Sequence, residues 1–336
     1  NMSQAITHLE KSKLVIASGE THPDLATDIA REMGMDLCAI ELREHPDTEP
    51  YVRIDESVRG KHVLAIQSHG ASSEKSKNDS FLQHLGIIDA ARLSKASTIT
   101  AISPNLIGSR GDRQVLPRES VPAHLYLRML GLAGASSLVT VDLHSPATLG
   151  AFYGSVDHLS AQQLLRAKLA QKIRGDKEQY VVISPDVGHS KEALRNAQAL
   201  GIDMISLDKS RDPRDSTSIS HASKVDGVND RVCLMMDDLI DTAGTLHSAA
   251  LTLKNSGAKA VYAAATHGWF SRPGPERLED SFIDEIIVTD TLPTRYAKDI
   301  LGDRLQVVSV AKMMATALVQ IVTEGSVEEM TKQGTY

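Results

Sequence analysis

Arg231-Val-Cys-Leu-Met-Met-Asp-Asp-Leu-Ile-Asp-Thr-Ala-Gly-Thr-Leu246 passes from an apolar run into acidic, hydroxyl-bearing turn chemistry and then into a helical pattern. Residues 232–236 read as a buried strand and residues from 244 onward as a helix. A strand, a tight turn and a helix make up the unit from which open parallel sheets are built, and ligands bind at the carboxyl ends of such strands. Asp237 and Asp238 are expected at that end. Adjacent carboxylates repel each other and make poor packing, but they can accept hydrogen bonds from two vicinal hydroxyls, as on a ribose. Asp241, Thr242, Ala243, Gly244 and Thr245 turn the chain. The two threonines offer hydroxyls, and Gly244 lets backbone approach a ligand. The helix start points free N–H groups and the positive end of its dipole at an anion. The competing reading is an acidic strand end ahead of a well-capped helix. The paired carboxylates favour a sugar-phosphate site.

Outward from this stretch, apolar runs alternate with helical patterns, the signature of a parallel α/β sheet. Strands are expected at residues 14–17, 37–42, 51–54, 63–67, 98–102 and 138–141, and helices at 23–33, 81–97 and 121–134. Residues 68–80 read as a polar loop. A second set begins near His158, with helices at 161–173 and 191–200 and strands at 180–183 and 204–207. Residues 210–229 are polar and free of aromatics, and they read as a mobile loop leading into the central stretch. Strands at 260–266, 285–289 and 307–310 and a closing helix at 311–323 follow. The expectation is α/β, with two tandem domains at 12–158 and 159–310, each a mainly parallel sheet flanked by helices. The closing segment, 311–326, is expected to return to the first of them.

At 336 residues and 41% hydrophobic, the chain can bury a core in each of two domains. A net charge of −7, with both signs interspersed, argues against a nucleic-acid surface. Two cysteines, Cys38 and Cys233, cannot form a disulfide framework and suit a reducing cytoplasm. No apolar run reaches membrane-spanning length and no signal-peptide core opens the chain. Asn1-Met2 reads as a remnant ahead of the natural start.

Asp237-Asp-Leu-Ile-Asp-Thr-Ala-Gly-Thr245 resembles the phosphoribosyl diphosphate loop of type I phosphoribosyltransferases and of ribose-phosphate diphosphokinases, also called phosphoribosyl pyrophosphate synthetases. The diphosphokinases alone also match the other segments, in order and spacing, over residues 13–325. These are Glu56-Ser-Val-Arg-Gly60, Val141-Asp-Leu-His144 with Gly150 and Val156-Asp-His-Leu159, Ser184-Pro-Asp-Val-Gly188, and Ser256-Gly-Ala258 leading to Thr266-His-Gly268.

The resemblance implies two type I phosphoribosyltransferase-like domains and transfer of the diphosphoryl group of ATP to the anomeric hydroxyl of ribose 5-phosphate, giving 5-phosphoribosyl 1-diphosphate and AMP. Asp237, Asp238 and residues 241–245 would hold ribose 5-phosphate. Asp47, Glu49, Arg110, Gly111, Asp112, Arg113 and His144 would hold ATP. His144 and Asp186 would each ligate Mg²⁺, a hard cation that keeps waters and bridges phosphates. Lys209, Arg211 and His144 are the implied catalytic residues. Loop cations brought over the transferring phosphates would stabilise transition-state charge and exclude water. The family also implies a homo-oligomer, in the form of a hexamer built from dimers.

Several positions depart from the family pattern. His45 stands for a stacking Phe, Ser210 for a basic residue, Gly111 and Gln114 for Gln and Lys, and Pro104-Asn-Leu-Ile-Gly-Ser109 lacks the usual aromatics. These departures keep other readings open: a catalytically silent regulatory relative that binds active subunits, a phosphoribosyltransferase, and a sugar-phosphate sensor.

Overall fold

Leu14–Ser18 (β1) is buried at every position, as a strand covered on both faces must be. In the computed structural model, which describes residues 8–71, 75–185, 190–207 and 224–328, β1 follows a short helix, His8–Ser12 (α1). It leads into Pro23–Met33 (α2). Pro23 suits the first helical turn, Leu25, Ala26, Ile29, Ala30 and Met33 form one buried face, and Gly34 (φ 67°) ends the helix in a left-handed cap. Ile40–Glu44 (β2) and Pro50–Ile54 (β3) pair antiparallel as a separate hairpin. His62–Ile66 (β4), Lys77–Leu93 (α3), Thr98–Ser103 (β5), Pro122–Ala133 (α4), Ser137–Val141 (β6) and Ser155–Leu159 (β7) complete the set. The five-stranded sheet runs β1-β4-β5-β6-β7, and all its pairings are parallel.

The second sheet uses Gln162–Ala170 (α5), Tyr180–Ser184 (β8), Ser190–Leu200 (α6), Asp203–Ser206 (β9), Val232–Ile240 (β10), Gly244–Asn255 (α7) and Ala260–Gly268 (β11). Gly274–Glu279 (α8), Glu285–Thr289 (β12), Arg295–Leu301 (α9) and Leu305–Val308 (β13) follow. Its order is β13-β12-β11-β10-β8-β9, again all parallel. The chain leaves β8 outward to β9, then returns to the other side of β8 with β10 and continues to β11. The strand order therefore reverses between β8 and β10, which makes their carboxyl ends a topological switch point where a crevice opens for ligand. Alternate β10 side chains fill cores on opposite faces: Cys233 and Met235 on one, Val232, Leu234 and Met236 on the other.

The structure divides into two compact units, Asn1–Ala161 with Thr291–Pro293 and Ser309–Tyr336, and Gln162–Asp290 with Thr294–Val308. The last helix, Ala311–Val322 (α10), belongs to the first unit, where its face of Met314, Ala315 and Leu318 packs with α2. Among the described residues no helix is long and apolar enough to cross a membrane.

Several local expectations are corrected. The run 37–42 is not a strand of the main sheet; the chain pairs from Ile40 with the next strand as a hairpin whose turn carries Thr48 at φ 72°. The segment 68–80 is shorter as a loop, because Ser76 and Asp79 form a reciprocal capping box that starts α3 at Lys77, ahead of the apolar run. Strand β7 and helices α8 and α9 were not expected from periodicity. They are short, and tertiary contact rather than local pattern stabilises them.

Candidate functional site

Strand β10 does not stop at residue 236; it continues to Ile240 and carries Asp237 and Asp238 within it. Pairing with β11 is what extends it, with Asp237 opposite Ala265 and Ile240 opposite Gly268. The pleat sends successive side chains to opposite faces, so the two carboxylates flank the strand end rather than sharing one side. Asp237 Oδ1 accepts the Asp238 backbone N–H at 2.8 Å, and both side chains are half-buried. The turn after Ile240 is tight because Ala243, not Gly244, takes the left-handed conformation (φ 58°, ψ 12°). Ala243 caps α7 without a side-chain hydrogen bond, and the hydroxyl-bearing Thr242 and Thr245 are exposed. The first turn of a 12-residue helix thus presents backbone N–H groups and the positive dipole end beside two hydroxyls. An anion such as a phosphate monoester fits that arrangement.

Two residues absent from the sequence reading shape this loop. Arg277, on α8, donates from Nη1 to the Thr242 carbonyl oxygen at 2.6 Å, and its own carbonyl accepts from His247 Nδ1 on α7 at 3.3 Å. A Cβ placed on Gly274 would lie 2.3 Å from the Asp241 carbonyl oxygen, so the start of α8 packs directly under the turn. The only sequence signal was Pro273-Gly-Pro275, which reads as punctuation and says nothing of what it touches. Arg277→Ala should loosen the turn while the core stays intact. The expected result is a KM for ribose 5-phosphate raised about ten-fold, the scale of one charge-assisted hydrogen bond, with little change in melting temperature. An unchanged KM would remove Arg277 from this role.

In the first unit, Arg110 to Arg113 follow β5 by a loop. Gly108 (φ 77°) is both left-handed and crowded, since a Cβ would lie 2.6 Å from Tyr126 Cδ2. The Gly111 N–H donates to the Gly108 carbonyl at 2.8 Å, and a Cβ on Gly111 would lie 2.7 Å from Pro122 Cδ. The glycine that departs from the family pattern therefore lets the loop sit against the start of α4. Arg110 and Arg113 are exposed, and Gly111 and Asp112 are half-buried.

His144 is exposed just beyond the carboxyl end of β6, the strand beside β5, so the sheet brings it to the same edge as the Arg110 loop. Its loop is rigidly held. Asp142 sits at φ 33°, a strained value for a non-glycine residue, and its Oδ2 accepts the Ala161 N–H at 2.8 Å. The Leu143 N–H donates to His158 Nε2 at 2.9 Å, which assigns His158 the task of aiming the Asp-Leu-His segment.

Asp47 and Glu49 lie in the exposed β2–β3 turn. Asp47 Oδ1 accepts the Glu49 N–H at 3.3 Å, and Glu49 lines a cleft of roughly 230 Å³ against the start of α3. His45 packs edge-on to Tyr51 at 5.8 Å between ring centroids, and the Arg43 guanidinium lies over the same Tyr51 ring. Asp186, Lys209 and Arg211 lie outside the described residues. Among the described residues no three His, Cys, Asp or Glu side chains converge on a metal position. One exposed imidazole at a strand end suits a cation held chiefly by phosphates and water.

Residues 14–134 match the family model described as the N-terminal domain of ribose phosphate pyrophosphokinase, and residues 221–332 match the phosphoribosyl synthetase-associated domain. The chain is 36% identical over 318 residues to a ribose-phosphate pyrophosphokinase of Bifidobacterium longum, covering 94% of this chain and 92% of that one. It is also 36% identical over 318 residues to one of Mycobacterium tuberculosis, covering 94% and 95%. The crystal structure of phosphoribosylpyrophosphate synthetase from Mycobacterium smegmatis superposes with a TM-score of 0.83 at 35% identity, covering 93% of this chain and 100% of that one. With similarity of this extent running through both units and both ends of the candidate site, the chain belongs to the ribose-phosphate pyrophosphokinase family.

Proposed function

We infer that this chain transfers the β,γ-diphosphoryl group of ATP to the anomeric hydroxyl of ribose 5-phosphate, releasing AMP. The observation that carries this reading is the β10–α7 junction at the switch point of the second sheet, in a chain similar to synthetases over almost its whole length. Residues 241–245 would hold the 5-phosphate on the α7 N–H groups, with Asp237 and Asp238 accepting from the ribose hydroxyls. The anomeric oxygen would attack the β-phosphorus as the bond from that phosphorus to the α,β-bridging oxygen breaks. The hydroxyl proton passes to solvent, and AMP carries away the bridging oxygen. Such transfer relies on positioning and charge stabilisation more than on a strong base. Arg110, Gly111, Asp112, Arg113 and His144 would orient the triphosphate, Asp47 and Glu49 would meet the base, and Lys209 and Arg211 would supply cations. Mg²⁺, bound to the phosphates with His144 and Asp186 as protein ligands, would neutralise phosphate charge.

Burial pushes the thiols of Cys38 and Cys233 up to about 11, so both stay protonated and inert, in keeping with a cytoplasmic enzyme. We also place the working form as a homo-oligomer, a hexamer of dimers, to be read by light scattering. Incubation with ATP, Mg²⁺ and ribose 5-phosphate should release AMP and phosphoribosyl diphosphate in equal amounts. Folded protein that makes neither product would return the chain to the silent regulatory class.

The exposed His45 offers the base less aromatic surface than a Phe, and a lost stack is worth on the order of 1 kcal/mol, about five-fold in affinity. Discrimination of ATP over GTP is therefore expected to stay below roughly a hundred-fold and to sharpen in His45→Phe. Specificity constants for ATP, GTP and CTP decide it. A preference above about a thousand-fold that His45→Phe leaves alone would defeat the expectation.

A further inference from the structure

His69 and His84 are both 0% exposed in the first unit, and a buried imidazole is costly unless its ring nitrogens are matched. The matching here has one consistent direction. His84 Nε2 lies 3.0 Å from the Ala65 carbonyl oxygen, which can only accept, so Nε2 carries the hydrogen. Nδ1 of that neutral ring is then an acceptor, and it lies 3.0 Å from His69 Nε2, which must donate. His69 Nδ1 is left as an acceptor, 3.2 Å from the backbone N–H of Ile107. The run is Ile107 N–H to His69, His69 to His84, and His84 to Ala65, with each neutral ring donating from Nε2.

Ile107 opens the turn that carries Arg110. The main chain of the same loop is tied to the same histidine: the His69 N–H donates to the Asn105 carbonyl at 2.9 Å, and Asn105 Nδ2 donates to the His69 carbonyl at 2.5 Å. Residues 105–107 thus hang on His69, while Gly108 and Gly111 press against α4 at the other end. We propose that His69 and His84 form a neutral relay that positions the loop of Arg110 to Arg113, making His69 a positioning residue for the nucleotide triphosphate. This rests on the reading of that loop as the nucleotide segment.

Charge on either ring breaks the relay. A protonated His69 would turn Nδ1–H toward the Ile107 N–H, and a protonated His84 would turn Nδ1–H toward the His69 Nε2–H. The surroundings supply no counter-charge. Gln67, Ser103 and Asn105 face His69 from the strand ends, Phe81 packs edge-on at 5.2 Å, and Tyr126 of α4 meets that Phe81 ring. Glu20 and Lys75 come no nearer than Gln67 and Gln83, with Gln83 Nε2 donating to Glu20 Oε2 at 2.8 Å. Burial lowers His84 to about 4 and His69 well below its ordinary 6.5. Folded values below the unfolded ones mean that the pair's contribution to stability is complete above about pH 6.5. It is lost as pH falls toward 4, with the unfolding constant rising by up to about ten-fold per pH unit for each ring.

Two substitutions separate positioning from packing. His69→Gln keeps a donor toward His84 but removes the acceptor facing Ile107, whereas His69→Asn keeps an acceptor near the Nδ1 position. The expected outcome is a KM for ATP raised about ten-fold or more in His69→Gln, with the KM for ribose 5-phosphate within about two-fold of wild type, and substantial recovery in His69→Asn. Unchanged ATP KM in His69→Gln, equal shifts in both substrates, or equal damage in both variants would overturn the proposal. A long-range ¹H–¹⁵N spectrum of the wild type tests the relay without turnover, even if the variants do not fold. Both rings must appear as Nε2–H tautomers that do not titrate between about pH 8 and 5, and a non-hydrolysable ATP analogue must shift the His69 signals. An Nδ1–H tautomer, a titration midpoint above about 6, or no response to the analogue would defeat it. Wild-type protein that makes no AMP would instead defeat the synthetase reading alone.

Discussion

Lys209→Ala is expected to lower turnover by about two to four orders of magnitude while leaving ribose 5-phosphate affinity within about two-fold. Negative charge moves from the β-phosphorus side toward the bridging oxygen as AMP departs, and a loop cation gains most of its interaction at that moment. A group that acts only in the transition state appears in kcat and in kcat/KM alike, not in substrate binding. Lys209 lies outside the described residues, so its assignment rests on Lys209-Ser-Arg211 and the family resemblance. Arg211→Ala should behave in the same way with a smaller loss, because the remaining lysine still faces the phosphates. Steady-state kinetics with both substrates varied, and calorimetry for ribose 5-phosphate, check the prediction. A raised KM at unchanged turnover would assign Lys209 to ground-state binding instead.

Gly274→Val should be nearly as damaging, although Gly274 lies outside the recognised motif. Its ideal Cβ would sit 2.3 Å from the Asp241 carbonyl oxygen and 3.4 Å from the Thr242 Cα, both backbone atoms that no rotamer change can move. The turn or α8 must therefore shift by the better part of an ångström. A misplacement on that scale costs about a hundred-fold where reacting groups must be aligned. The expected result is a loss of about a hundred-fold in kcat/KM for ribose 5-phosphate, with a smaller effect on ATP affinity. Gly244→Val makes the informative contrast. Its Cβ meets only Arg277 Nη1, at 3.4 Å, so the fold should tolerate it, and any loss should come from the space the phosphate needs. If Gly274→Val keeps wild-type kcat/KM while Gly244→Val loses it, the packing of α8 under the turn has no functional weight.

Much was legible in local chemistry. The apolar run at 232–236, the paired Asp237 and Asp238, and the hydroxyls around Gly244 announce a strand, an acidic end and an anion-binding helix start without any tertiary information. Each of those properties is written within a few neighbouring residues, so it can be read one-dimensionally. The extension of β10 to Ile240 could not be, because acidic residues carry poor strand propensity and are recruited there by pairing with β11. The left-handed residue was placed on Gly244 by default, whereas the packed turn puts Ala243 there.

The sequence by itself determined two parallel α/β sheets, their alternating elements and the strand end that carries the sugar-phosphate chemistry, because side-chain period and turn composition are local signals. The tertiary structure alone decided that the second sheet reverses its order between β8 and β10, that Arg277 and Gly274 brace the phosphate turn, and that His69 and His84 meet inside the first unit. Contacts between residues 15 to 36 positions apart depend on which strands become neighbours. Strand order is settled by the packing of whole helices and sheets, for which no short stretch of chain carries a signature.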